Sequence, residues 1–214
     1  ERNSIGPDGN FDAERRYEDA FGVDEGLVDL TALARHVPHE YLEAMFPIFR
    51  RLTDAVAVQS SPGSYKQADI GFARDGAGRF LESLLAASET FAHNEPAAFL
   101  EFAASEVASD QGPIHHVLGT GFAALPPKHQ SAALAYLLAD EKRMRIGTGT
   151  EPDETSARLL RSLAKTLALR ELQQLEAMIL GSSVYESSAN ASARARRARL
   201  HLNRAHRARL LREL

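Results

Sequence analysis

The side chains best suited to chemistry in this sequence are its arginines. Arg194, Arg196, Arg197, Arg199, Arg204, Arg207, Arg209 and Arg212, joined by His201 and His206, fall in one stretch in which Glu213 is the only acid close by. Clustered arginines can hold phosphates, gaining affinity by releasing counterions. They can equally lie on an acidic protein face, or simply form a solvated face. Leu200, Leu210, Leu211 and Leu214 add apolar contacts, and no aromatic residue interleaves the arginines, so a base-stacking platform is missing. These eight arginines are the candidate interaction surface.

The remaining reactive types assemble no reaction centre. The runs 119–121 (GTG) and 147–150 (GTGT) lack the Gly-Lys-Ser/Thr ending that places a lysine and a hydroxyl on phosphates and Mg²⁺, and neither follows a predicted strand. Both read as turns. Of the eight histidines, His36 and His39 straddle Pro38, and the adjacent His115 and His116 point apart on a helix. They read as surface or partly buried histidines at helix ends. No H-E-x-x-H or G-x-S-x-G occurs, and the chain has no Cys. Asp110, Asp140 with Glu141, and Asp153 with Glu154 sit at predicted helix ends, where carboxylates cap exposed N–H groups. The expectation is a segment with no catalytic residues, no metal and no cofactor, and not itself an enzyme.

These side chains must be carried by helices. The chain has 214 residues, 44% hydrophobic and 25% charged, rich in Ala and Leu, with 7% aromatic and no Trp. The absence of Cys fits a reducing cytoplasm. No apolar run reaches the roughly 18 residues of a membrane helix, so no membrane partner is expected. Charge is uneven. Residues 158–214 hold 12 Arg/Lys and 4 Asp/Glu, a net +8, and residues 1–157 hold 13 and 25, a net −12. The chain opens on Glu1 without a Met, and its basic helix runs to Leu214 without a stop signal. Both ends read as cuts through a longer protein.

Three regions follow from the pattern. Residues 1–26 read as a loop with a short helix near 12–20. Residues 27–188 read as a helical-repeat region. In it Leu27, Leu30 and Ala34 share a face, Pro38 restarts the chain, and Tyr41, Leu42, Met45, Phe46 and Phe49 form an apolar stripe that Pro47 should kink or split. A long Gly/Ser/Pro-bearing loop at 58–78 comes next, mobile or with a surface role. Further helices are expected over 79–93, 96–109, 112–124 and 126–139, then one capped by Asp153. The stripe Leu160, Leu163, Leu167 is out of register with Leu172, Leu175, Ile179, so a break near Leu169 is expected. A Ser-rich loop at 181–189 leads to the third region, a basic C-terminal helix within 189–214. Nowhere does a β-branched alternating run appear, so the chain reads as all-α.

The strongest organising signal is self-similarity at an offset of 58. Leu27/Leu85, Ala34/Ala92, Pro38/Pro96, Leu42/Leu100 and Glu43/Glu101 are identical pairs, and Leu33/Phe91 and Tyr41/Phe99 are similar. Each copy ends one helix at Ala-x-x-x-Pro and opens the next with that Pro, with a fainter echo at Ala123 and Pro127. Such hairpins cannot bury both faces alone, so they stack. The expected fold is a run of stacked helical hairpins, a HEAT/armadillo-like α-solenoid segment, although 58 residues exceed the roughly 40–47 of such units.

Residues 94–100 (NEPAAFL), Pro126, 134–140 (LAYLLAD), 145–147 (RIG), 175–180 (LEAMIL), 199–203 (RLHLN) and 209–214 (RLLREL) resemble the helical-repeat region of large bacterial STAND-type NTPases, several of which act in anti-phage defence. The similarity spans roughly residues 27–214 and rests on short motifs of common helical residues. In that family a separate P-loop module binds nucleotide and the helical repeats sense a trigger or relay it. The resemblance therefore implies a scaffold or sensor role with a protein partner, either the chain's other domains or a trigger protein. No site residue carries over from it. Nucleic acid on the arginine cluster is the rival partner.

Overall fold

A computed structural model describes residues 30–56, 58, 64–67, 76–147, 153–182 and 192–214, without the side chains of Arg196 and Arg199. The expected helix near 12–20, most of the 58–78 loop and the 181–189 loop beyond Ser182 lie outside the described residues. Nine α-helices occupy the rest: α1 (Leu30–His36), α2 (Pro38–Val56), α3 (Gly76–Asn94), α4 (Pro96–Glu106), α5 (Gly112–Ala124), α6 (Gln130–Leu138), α7 (Glu154–Ala164), α8 (Leu169–Gly181) and α9 (Ala193–Leu211). Short 3-10 turns fill Pro127–His129 and Glu141–Arg145. Among the described residues there is no strand, only two isolated bridges. The chain is all-α.

Proline sets the breaks. Pro38 and Pro96 are each the first residue of a helix, and the single-residue interruptions before them, Val37 and Glu95, are 58 apart. Proline's missing N–H and fixed φ cost nothing in a first turn and cannot extend the preceding helix. Pro47 does not split its helix: α2 runs from Pro38 to Val56. Pro47 is exposed while Phe46 and Phe49 are buried, so the carbonyl that loses its bond faces water.

Packing proceeds in series. α1 lies on α3, α3 on α5 and α5 on α7, while α2 lies mainly on α3, and α4 and α6 flank the helices that precede them; α9 rests on α7 and α8. An aromatic chain fills the first three layers. Phe91 and Phe99 meet edge to face at 6.0 Å, and Phe99 meets Phe122 at 5.4 Å. Tyr41 Oη donates to Ser83 Oγ at 2.6 Å, since the Ser83 proton goes to the Phe80 carbonyl at 2.7 Å. A buried phenylalanine contributes about 2–3 kcal/mol relative to exposure.

The 119–121 run is not a turn. Gly119 and Gly121 lie inside α5, on faces pressed against neighbours. A Cβ on Gly119 would meet Thr155 Cγ2 at 2.7 Å, and one on Gly121 would run into the Phe99 ring. These glycines let α5 approach α7 and α4 closely, which outweighs their roughly 1 kcal/mol helix penalty.

Candidate functional site

Two polar assemblies stand out, one inside the core and one under α9. The first begins where the 58–78 loop meets the start of α5. Lys66 N–H donates to the Asp110 carbonyl at 2.8 Å, Gly112 N–H to the Lys66 carbonyl at 2.7 Å, and Val58 exchanges both backbone bonds with Gln67. This part of the loop is thus tied down, with Tyr65 buried against α5, and α3 starts at Gly76 rather than near residue 79.

Tyr65 stacks on His115 at 4.2 Å. His115 Nε2 lies 2.9 Å from the Ser109 carbonyl and Nδ1 lies 3.0 Å from Tyr136 Oη. A carbonyl can only accept, so Nε2 carries the proton and Nδ1 accepts from the tyrosine. Burial pushes the His115 pKa down to about 4 against a helping bond to Ser109, and likewise holds the His116 pKa at about 4. His116 Nδ1 pairs with Thr155 Oγ1, linking α5 to α7. Both rings are buried neutral, beyond the surface or partly buried placement expected of them, because Gly112–Phe122 is covered on every side.

Arg143 closes this cluster. Its guanidinium donates to the carbonyls of Tyr136 and of Val107, the latter at 2.8 Å, and lies 4.2 Å over the Tyr136 ring. Tyr65 Oη donates to Asp140 at 3.0 Å, and Ser156 Oγ donates to the Arg143 carbonyl at 2.7 Å. The polar groups are largely spent on one another and on backbone carbonyls that α4, α6 and the 141–145 turn leave unpaired. Such a network holds connections in place. It presents no open nucleophile–base pair.

The second assembly divides the eight arginines. Along α9, Asn203, His206 and Leu210 are buried, and Arg207 and Arg209 are half-buried beside them. Arg207 donates to the Ser182 carbonyl, through Nε at 2.9 Å. His206 Nδ1 donates to Asp153 Oδ2 at 3.0 Å, and Arg209 Nη1 lies 2.8 Å from Asp153 Oδ1. Arg194, Arg197, Arg204 and Arg212 point outward with His201, and Arg196 and Arg199 have no described side chains. The eight therefore form no single surface. At about 100° per residue the outward group occupies roughly 80° of arc, opposite the buried stripe.

Asp153 departs from its expected role. It makes no side-chain cap bond; the first N–H groups of α7 are met instead by the Ile146 carbonyl, which accepts from Thr155 at 2.9 Å and Ser156 at 3.2 Å. With the cap filled by backbone, the carboxylate turns to α9. Burial raises its pKa, but the His206 bond and the Arg209 charge outweigh that and hold it below the usual value. Sequence reasoning missed this pairing because 53 residues separate the partners. The Asp–His contact invites comparison with a catalytic dyad. However, His206 Nε2 is buried and meets no partner among the described residues, so no nucleophile completes it.

Among the described residues no group of three His, Cys, Asp or Glu side chains is placed to hold a metal ion. A surface depression between the ends of α1 and α3, lined by Arg35, Glu89, Thr90, His93 and Asn94, is exposed apart from Thr90. Compared with family models, curated proteins and solved structures, the chain has no match. No described helix is long and apolar enough to cross a membrane.

Proposed function

We propose that this chain is a HEAT/armadillo-like helical-repeat scaffold, the non-catalytic sensor or relay segment of a larger STAND-like signalling NTPase, binding protein within or between molecules. The serial stacking of α1, α3, α5 and α7 carries this reading, since it hides each apolar stripe against the next helix and leaves outer surfaces for recognition. The matched breaks before Pro38 and Pro96 support it further. The test is the coding sequence upstream of Glu1, followed by titration of the encoded module against residues 1–214. A Gly-x-x-x-x-Gly-Lys-Ser/Thr module that binds supports the reading, and a membrane or unrelated catalytic module there sinks it.

A second reading is nucleic-acid binding, favoured by the exposed Arg194, Arg197, Arg204 and Arg212. It requires affinity that falls steeply with salt. The inward use of Arg207 and Arg209 shrinks the surface on which it depends.

A further inference from the structure

We infer that α9 is a phosphate-binding arm held back by Asp153: the docked helix withholds Arg207 and Arg209, and its release adds them to the outward arginines. This deepens the nucleic-acid reading and rests on it. Around α9 the two withheld arginines flank the outward group, Arg207 next to Arg204 and Arg209 next to Arg212. At about 100° per residue, adding them widens the arginine arc from roughly 80° to roughly 200°. Acceptors detain them. Arg207 donates to the Ser182 carbonyl through both Nε and Nη2 at the end of α8, and Arg209 and His206 meet the two oxygens of Asp153 at the start of α7. A phosphodiester offers the same guanidinium forks two oxygens and a full charge.

The fastening is light. Among the described side chains of α9, Asn203, His206 and Leu210 are the buried ones, and Leu210 alone of these is apolar. A helix N-terminus disfavours cations, so the Asp153 carboxylate is what lets His206 and Arg209 sit at the start of α7. The surface of α9 favours phosphate over an acidic protein face. Leu200 and Leu202 lie on opposite flanks of the outward arginines, so they form no apolar centre such as a protein interface has. A sugar-phosphate backbone needs none. Residues 193–211 carry neither an acid nor a lysine.

Fluorescence anisotropy with a DNA duplex of about 20 base pairs, between about 50 and about 200 mM salt, tests this. Wild type should bind weakly. Leu210→Ala, which loosens α9 without changing charge, and Asp153→Asn should each bind about tenfold tighter at the low salt, with the slope of log K against log salt steeper by about 1.8 for two added phosphate contacts. Glu154→Gln makes the same charge change one residue along and should bind like wild type. Adding Arg207→Gln with Arg209→Gln to Leu210→Ala should restore the wild-type affinity and slope. Circular dichroism reports that each variant is folded, and hydrogen exchange should show lost protection in α9 alone. Unchanged protection of α9 in both release variants overturns the inference, as does a loosened α9 that binds like wild type, or Glu154→Gln binding as tightly as Asp153→Asn. Poly-glutamate bound as tightly as DNA overturns the phosphate assignment in favour of an acidic protein. Equal DNA binding by every version overturns the withholding and leaves the nucleic-acid reading standing, whereas no binding by any version sinks both.

Discussion

The α3–α5 layer and the α7–α9 seam bury polar groups by opposite means. In α5 two histidines are kept neutral, each held by a hydroxyl, a carbonyl or both, inside aromatic and aliphatic packing. At the seam a carboxylate stays charged and is matched by His206 and Arg209. Neutral burial suits a layer that must be apolar on all sides, and its cost appears only when protons are supplied. Ionic burial suits a helix joined to the body by few apolar contacts, Leu210 chief among them. It specifies where α9 sits while contributing little net stability, because desolvation offsets most of the attraction.

The contrast can be broken first at its strong side. Phe99→Ala should cost about 3–5 kcal/mol, because the ring is fully buried between Phe91 and Phe122 and its loss leaves a cavity. Urea unfolding measures this, and a loss below about 1 kcal/mol would contradict the packing described. The next effect comes from pH. The folded-state values of His115 and His116 lie near 4 against an ordinary 6.5. Stability is therefore complete above about 6.5 and is lost as pH falls toward 4, by about 1.4 kcal/mol per unit for each histidine. From pH 7 to pH 5 the loss should be on the order of 3 kcal/mol. Asp153 is held below its usual value and keeps its charge through that window, so acid should loosen the core before it discharges this carboxylate. A flat profile of unfolding free energy from pH 7 to 5 would show that the pair is not buried neutral.

Asp153→Asn sharpens the comparison from the other side. It removes the carboxylate charge that meets His206 and Arg209 and should cost about 2 kcal/mol, confined to α9. Hydrogen exchange would show this as lost protection in α9 with α3 and α5 unchanged; equal loss in all three would mean the seam is not a separate unit. The smallest effect belongs to the surface pairs. Arg158→Ala and Arg161→Ala remove exposed bridges to Glu89 and Glu213 and should each change stability by less than about 0.5 kcal/mol. A larger loss would give α7 a role in anchoring its neighbours beyond its buried leucines.

Much of the local structure was legible in sequence because local causes set it. The Ala/Leu stripes gave the helices, Pro38 and Pro96 gave two breaks, and the register shift near Leu169 gave the α7–α8 boundary. Whether Pro47 splits its helix depends on which face it occupies, which the packing of α2 on α3 decides. The 119–121 glycines misled for the same reason: glycine in a helix looks like a turn until the neighbour it admits, Phe99 or Thr155, is in place. The candidate site was legible only as a composition. Periodicity groups the outward arginines of α9, but nothing within the helix says that the stripe carrying Arg207 and His206 turns inward.

The sequence alone determined that the chain is helical, where its apolar stripes lie and where proline interrupts them, because those depend on neighbours within a turn or two. Tertiary structure decided that His115 and His116 stay neutral, that Asp153 abandons its cap for α9, and which arginines remain for a partner. Each of those outcomes turns on burial or pairing by residues 21 to 53 positions away in the chain, and no local pattern records which of them will arrive.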